Sequence, residues 1–503
     1  MKNTFRVILF IVAISFLLYI TKGHWEGWLL GALSLLFTLS AIFIGFVIFL
    51  ENRHPTQTLT WIVVLGSFPL LGFIFYLMFG RNFRKKRMFQ KKASLDEQTF
   101  LQVEGSFDYN EEKIEEMGEN QKQLFRLAHR IGKTPVSFAS ETKILTNGDE
   151  TYSAIFDALK KAQHHIHLEY YIVRHDAVGQ QLKDILIERA KHGVSVRFLY
   201  DAVGSWKLSK QYRNELKNAG VLIEPFFPVK FPVFNNKVNF RNHRKIAVID
   251  GSVGFVGGLN IGDEYLGKNK YFGFWRDTHL FIKGEAVRAL QLIFLQDWYH
   301  MTGQALLTQS YLSPQLVEGE NFGGVHLIAG GPDNEWEVIK NLFFSMIISA
   351  KKSIWIASPY FIPDEDILSA LKIAALSGID VSIIVPKRPD KKIVFYASRS
   401  YFPVLLEAGA KIFEYEKGFM HSKIMIIDGE LASIGTSNMD MRSFHLNFEI
   451  NAFLYRTNST ETLVADFIND IGHSKKIQKD TFNKRPLLQR LYESTARLLS
   501  PLL

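Results

Sequence analysis

The 503-residue chain contains no cysteine. Disulfides, cysteine-ligated zinc, iron–sulfur clusters and thiol nucleophiles are therefore excluded, although a cysteine-free protein can work on either side of a membrane. Charge is missing from two stretches, Trp28 to Leu50 (23 residues) and Leu59 to Phe79 (21 residues). Each is long enough to cross a hydrocarbon core of ~30 Å, and neither has the polar face of a helix that packs on a soluble core. Trp28, Trp61 and Tyr76 lie near the ends of these runs, where amphipathic rings prefer the interface. A shorter run, Val7 to Ile20, follows Lys2 and Arg6 and is not succeeded by a small-x-small cleavage pattern. It reads as an extra short span or an interfacial helix.

Acid is missing from the segment after Phe79, which carries Arg81, Arg84, Lys85, Lys86, Arg87, Lys91 and Lys92. Seven cations beside a span mark that end as cytoplasmic, and they can hold anionic lipid headgroups. No later stretch is long and apolar enough to span, so the remaining ~410 residues are expected to form a cytoplasmic body. The net charge of +9 favours anionic partners. The patch beside the membrane accounts for most of it, which argues against nucleic acid.

Four regions follow: an anchor over 1–92, an acid-rich connecting segment over 93–135, a first α/β half over 136–310 and a second over 320–503. In the first half the pattern predicts helices over 151–162 and 181–192 and strands over 166–173 and 195–200. In the second it predicts helices over 338–351 and 367–377 and strands over 354–357 and 381–385. The same succession twice implies an internal duplication.

The two halves also share a motif. His243-Arg244-Lys245-Ile246-Ala247-Val248-Ile249-Asp250-Gly251 leads on to Asn260, and His421-Ser422-Lys423-Ile424-Met425-Ile426-Ile427-Asp428-Gly429 leads on to Asn438. The interval from His to Asn is 17 residues in both. One such match is weak evidence; two in register are strong. The pattern predicts an apolar strand that ends in an Asp-Gly turn and carries His and Lys on one face. Two such halves facing each other offer paired imidazoles, ammoniums and amides, which suits a tetrahedral phosphate. Asp250 and Asp428, at the turn, more plausibly bond backbone than substrate.

These residues match the HKD motif of the phospholipase D superfamily, and within it the chain resembles the bacterial cardiolipin synthases. Asn52-Arg53-His54-Pro55, Gly80-Arg81-Asn82, Trp275-Arg276-Asp277, the run Gly435 to Ser443 and Asn447-Phe448-Glu449 carry that resemblance along nearly the whole chain; the apolar run over 7–20 departs from it. The resemblance implies two tandem phospholipase D-type α/β sandwich halves preceded by N-terminal transmembrane helices. It implies a catalytic set of His243, Lys245, Asp250, His421, Lys423 and Asp428, with no metal and no cofactor. His243 is expected as nucleophile and His421 as acid and base, although the sequence fits the reverse equally well. Lys245, Lys423, Asn260 and Asn438 are expected to hold phosphate oxygens. Each histidine also needs an orienting carboxylate. Asp277 lies 34 residues after His243 and Glu449 lies 28 after His421. Glu169, on an apolar strand, is as easily a structural acid.

The implied reaction joins two phosphatidylglycerols into cardiolipin and glycerol through a phosphohistidine, in a multi-pass protein of the bacterial cell membrane. The rival readings are a hydrolysing phospholipase D, another phosphatidyltransferase such as a phosphatidylserine synthase, or a non-catalytic scaffold. Two further segments are read as surface features. Phe226 to Phe234 is rich in aromatics and either dips into a bilayer near the site or is a buried connector, and an amphipathic C-terminal helix after Pro486 is expected to pack its leucines on the body.

Overall fold

The computed structural model describes residues 111–228, 239–313 and 323–503 without a break, together with helix Pro55–Ser67 and parts of the chain before residue 99. It separates into two compact units, 1–85 with 233–236, and 86–232 with 237–503. In the first unit helix Pro55–Ser67 opens on a proline, whose missing N–H costs nothing there. Among the described residues no helix is long and apolar enough to cross a membrane. The run 7–20, much of 28–50 and 59–79, and the cations from Arg81 to Lys91 lie outside the described residues.

In the second unit the apolar runs form two sheets of matching plan. The strands are β1 (Ser140–Thr146), β2 (His165–Tyr170), β3 (Ser195–Asp201), β4 (Leu222–Phe226), β5 (Ile246–Ile249), β6 (Val253–Gly257), β7 (Phe274–Arg276) and β8 (Thr278–Gly284) in the first half. They are β9 (Gly324–Gly330), β10 (Ser353–Ala357), β11 (Phe361–Ile362), β12 (Asp380–Pro386), β13 (Lys411–Tyr415), β14 (Gly418–Met420), β15 (Ile424–Ile427), β16 (Leu431–Gly435), β17 (Met439–Asp440), β18 (Glu449–Tyr455) and β19 (Ser474–Lys476) in the second. The first sheet runs β1-β8-β6-β5-β2-β3-β4, and the second runs β9-β18-β16-β15-β10-β12-β13-β19. Position by position the orders agree, with β19 added at one edge. Parallel pairs β2–β3–β4 and β10–β12–β13 lie beside antiparallel strands in each. The helices connecting the parallel strands start alike: Asp176 accepts from Gly179 N ahead of Ala177–Lys191, and Asp364 accepts from Ile367 N ahead of Glu365–Leu376.

The sheets bury one core between the halves. Ile246, Val248, Val256 and Leu280 meet Ile424, Ile426, Ile434 and Ala452 there. The alternate residues of the motif strands face the other way: Ala247 and Ile249 join the first half's outer core, Met425 and Ile427 the second's. The period of two thus places both motif strands between two cores, which is why they read as continuous apolar runs.

Three segments take places that the sequence did not specify. The connecting segment packs on the body: helix Glu119–Gly132 buries Leu124, Phe125 and Ala128 in the core that holds Val338, Phe343 and Tyr455. Phe226 and Phe227 do not face a bilayer; they are buried with Phe89, Phe240 and Phe448, and residues 229–238 lie outside the described residues. Lys92 is not part of a solvated patch. It is 2% exposed and contacts Asp96 (2.5 Å), Asp333 (2.8 Å) and Asp297 (3.2 Å). Partners of opposite charge are what make a buried ammonium tolerable.

Several histidines are buried in these cores. Burial holds His279 and His326 down at about 3, against an ordinary value of 6.5, and pushes His167 well down as well. In the unfolded chain they take up protons near pH 6.5, whereas the folded protein resists, so stability is fully present above that pH. It is lost as pH falls from about 6.5 towards 3, at up to ~1.4 kcal/mol per pH unit for each such histidine. Denaturant midpoints measured at pH 7.5 and 5 should fall with pH; a flat profile would refute the neutral buried state.

Candidate active site

Both His-x-Lys triplets stand just ahead of the strands on which the sequence placed them. β5 begins at Ile246 and β15 at Ile424, so His243 to Lys245 and His421 to Lys423 are lead-in segments. Each lead-in is gripped by the opposite half. Asn242 forms a parallel bridge with Phe448, and the His243 N–H donates to Phe448 O at 2.9 Å. Correspondingly, β14 pairs in parallel with β7, Met420 opposite Arg276, and the His421 N–H donates to Arg276 O at 2.7 Å. The residue after Phe448 is Glu449, and the residue after Arg276 is Asp277. Each acid is thereby delivered to the histidine of the other half.

The contacts follow that register. His243 Nδ1 lies 2.9 Å from Glu449 Oε2, and His421 Nδ1 lies 2.6 Å from Asp277 Oδ2. Asp277 and Glu449 are fully buried. With Nδ1–H donated to a carboxylate, Nε2 of each ring carries the lone pair, and that of His421 lies 3.2 Å from Lys423 Nζ. The orienting acids of the sequence reading are both present, but crossed between the halves. Asn447 Nδ2 donates to Glu449 Oε1 at 3.1 Å, and Trp275 Nε1 to Asp277 Oδ2 at 3.3 Å. The rings of Tyr171 and Trp275 flank His243 and His421 at 5.0 and 4.9 Å.

The two lysines are buried alongside. Lys245 Nζ donates to His243 O at 2.7 Å, and Lys423 Nζ to His421 O at 2.5 Å. Burial, with repulsion from Lys423, pushes Lys245 well below its usual value against the pull of Glu449 and Asp277. Burial lowers Lys423 to about 8, opposed by Asp277 and Glu449. Burial brings both motif histidines to about 4, helped by the lysine of the same motif and, to a smaller extent, by that of the other half. Burial works against ionised acids, yet Lys423 and His421 bring Asp277 to about 2, and His243 and Lys245 lower Glu449. The lysines and acids are thus drawn from both halves into one mutually interacting cluster. A phosphodiester anion entering it favours the protonated form of every base present.

The remaining candidates divide. Asp250 and Asp428 are removed from the catalytic set: Asp250 accepts from the N–H groups of Gln163, His164 and His165, and Asp428 from those of Lys351, Lys352 and Ser353. They sit in the left-handed region at the far end of β5 and β15 and staple those strands to the starts of β2 and β10. Asn260 accepts from Ile172 N and donates to Tyr265 OH, which leaves one amide hydrogen. Asn438 is buried, and its Oδ1 has no partner among the described residues. Among the described residues no group of three or more His, Asp or Glu has metal-holding geometry.

Arg244, the variable position of the first motif, was missed as a site residue. Its guanidinium pairs with Asp297 and its Nε donates to Glu449 O at 3.1 Å. Asp297 is the same carboxylate that meets Lys92. Glu169 belongs to this network too: it accepts from Asn242, its neutral form is favoured by burial and by Asp297, and its role is structural.

Two His-Lys sites on duplicated α/β halves, each completed by the other's carboxylate, define a phospholipase D-type phosphodiester-processing enzyme. The family model described as cardiolipin synthase, PLD-like domain, matches residues 155–298 and 343–471, and the one described as phospholipase D-nuclease N-terminal matches 38–81. A cardiolipin synthase of Geobacillus sp. (strain WCH70) is 70% identical over 503 residues, covering both chains completely. That of Alkalihalophilus pseudofirmus is 65% identical with the same coverage. Among solved structures, the phosphatidylserine synthase of Haemophilus influenzae shares the fold at 17% identity with a TM-score of 0.58, covering 76% of this chain and 100% of that one. The chain belongs to the cardiolipin synthase family of the phospholipase D superfamily.

The crossed register makes a specific prediction. Glu449→Gln should lower kcat roughly 10–100-fold with little change in KM. Because Glu449 raises His243, its loss should also move the acid limb of kcat/KM, set by His243 near 4, to lower pH. A limb that moves to higher pH would contradict the pairing.

Proposed function

We propose that the protein is a membrane-anchored cardiolipin synthase that transfers a phosphatidyl group from one phosphatidylglycerol to another. The observation that carries this is the pair of carboxylate-oriented histidines with buried lysines in one cluster, in a chain 70% identical to a cardiolipin synthase along its whole length. In the first step Nε2 of His243 attacks phosphorus of the donor lipid, and the bond to the glycerol headgroup oxygen breaks. His421, protonated, gives its proton to that oxygen and glycerol leaves. In the second step His421 takes the proton of the acceptor's headgroup hydroxyl, whose oxygen displaces His243 from phosphorus. Cardiolipin forms, and both histidines return to their starting states.

Burial lowers both histidines to about 4 and so favours their neutral form, which suits the nucleophile. The acid must be charged, and the donor's phosphodiester anion supplies the field that favours its protonation. Lys245, Lys423 and Asn438, with the remaining N–H of Asn260, are the donors for the phosphoryl oxygens as charge builds in the transition state. The reaction is a transfer rather than a hydrolysis when a lipid hydroxyl reaches the phosphohistidine ahead of water.

The uncharged runs 28–50 and 59–79, and the family match over 38–81, support an anchor of transmembrane helices in the bacterial cell membrane. The cations from Arg81 to Lys91 support a cytoplasmic body, with Lys92 no longer counted among them.

The test is product analysis with headgroup-labelled phosphatidylglycerol in detergent. The wild type should turn over to cardiolipin and free glycerol; His243→Ala should give neither, and His421→Ala no cardiolipin and at most one glycerol per enzyme. With the label placed in the acyl chains instead, a lipid-labelled protein adduct should accumulate with His421→Ala and not with His243→Ala; the reverse would exchange the two roles. Phosphatidic acid as the sole product would make the enzyme a hydrolase.

A further inference from the structure

The C-terminal helix Leu487–Arg497 is mounted with its apolar stripe outward. Its buried residues are Glu493 and Ala496, and beside them Tyr492 meets the Tyr396 ring at 5.7 Å and the Arg497 guanidinium lies over Tyr401 at 4.5 Å. Glu493 is held by Arg485 at 2.7 Å and by Gln489 at 3.2 Å, and lies 3.5 Å from Arg399. The leucines point the other way. Leu487 and Leu498 are 80% exposed, and Leu488 and Leu491 are 60% exposed. A helix that seats itself through an ion-paired glutamate and shows four leucines to the outside inverts the ordinary arrangement of a surface helix.

The charges around the stripe are of one sign. From Lys484 to the end of the chain the cations are Lys484, Arg485, Arg490 and Arg497, and the single acid is the buried Glu493. A second copy of the chain set across this stripe by a twofold axis would bring Arg490 and Arg497 towards their own counterparts, with no exposed acid to meet them. A bilayer bearing anionic headgroups offers the complementary sign at the level of the arginines and hydrocarbon beneath the leucines.

The helix is also tied to the active site. The turn Ser500–Leu502 that follows it packs on helix Met441–His445, which begins three residues after Asn438. The Arg442 N–H donates to Leu503 O at 3.0 Å, and the guanidinium of Arg442 bonds Leu502 O at 3.2 Å and Asn239 O at 3.0 Å, four residues before His243.

We propose that helix Leu487–Arg497 lies in the interface of an anionic bilayer and sets the depth at which the active site meets its lipids. Its leucines reach roughly 5–10 Å into the headgroup and acyl boundary, with Arg490 and Arg497 at phosphate level. This deepens the lipid-processing reading, but its test does not depend on turnover.

Since the chain has no cysteine, a single introduced thiol can be labelled without background. The full chain carrying Leu491→Cys, labelled with an environment-sensitive fluorophore, is reconstituted into phosphatidylglycerol–phosphatidylcholine vesicles with brominated acyl chains. Lys160→Cys, on an exposed face of helix Asn147–Lys161, is the reference. The label at 491 should shift to the blue and lose about half its emission to the bromines, while the label at 160 keeps its own. In Arg490→Gln/Arg497→Gln chains the quenching at 491 should fall several-fold. Equal, weak quenching at the two positions would overturn the proposal. So would efficient disulfide cross-linking between Leu491→Cys chains without quenching, which would assign the stripe to a second copy. Docking without cardiolipin formation would instead overturn the proposed reaction and leave this inference standing.

Discussion

The structure depends on a backbone pairing between its halves. The parallel bridge of Asn242 with Phe448 and the strand pair β7–β14 fix where Glu449 and Asp277 arrive, and so decide which histidine each carboxylate serves. Charge distribution, tautomer and the exposed lone pair all follow from that register. The apolar core between the sheets holds the halves at the spacing the pairing needs. Separating them would strip each histidine of its acid while leaving that acid buried, which is the costly way to break an ion pair.

Behind this lies a second charge network. Lys92, Asp96, Asp297, Asp333, Arg244 and Glu169 are drawn together beside the first motif. Buried ionic clusters of this kind contribute more to uniqueness than to net stability in the systems where that has been established. Here the geometry gives uniqueness a specific object: Arg244 holds the carbonyl of Glu449, whose carboxylate holds His243. Lys92, in the helical residues just downstream of the basic segment, closes the same network.

Much of this was legible in the sequence because it is local. Apolar periodicity announced the strands and helices to within a few residues, and the repeat of His, Lys and Asn at equal spacing announced two equivalent sites. The Asp-Gly turns were readable as structural, since an acid at a strand end meets N–H groups before it meets ligand. What was not legible is non-local. Spacing placed Asp277 after His243 and Glu449 after His421, yet pairing between distant segments crosses them. Lys92 looked like one more lysine in a basic run, because of its three carboxylates only Asp96 is near in sequence, while Asp297 and Asp333 arrive from far along the chain. The leucines of the last helix had the pattern of a packing face, and only their mounting shows them facing out.

The Asp-Gly turns carry a consequence for how the molecule ages. Aspartate followed by glycine is the pair in which a carboxyl group most readily cyclises onto the next backbone nitrogen, because glycine places no side chain in the way. Asp250 and Asp428 both precede glycine, and both lie at the roots of the motif strands, where such a lesion would insert an extra backbone atom. Each carboxylate, however, is engaged by three successive backbone N–H groups of a neighbouring segment. Engaged in this way, it is less free to swing onto the following backbone nitrogen that would attack it. The same three bonds that staple the strands therefore also slow the chemical decay of the turns beneath both sites.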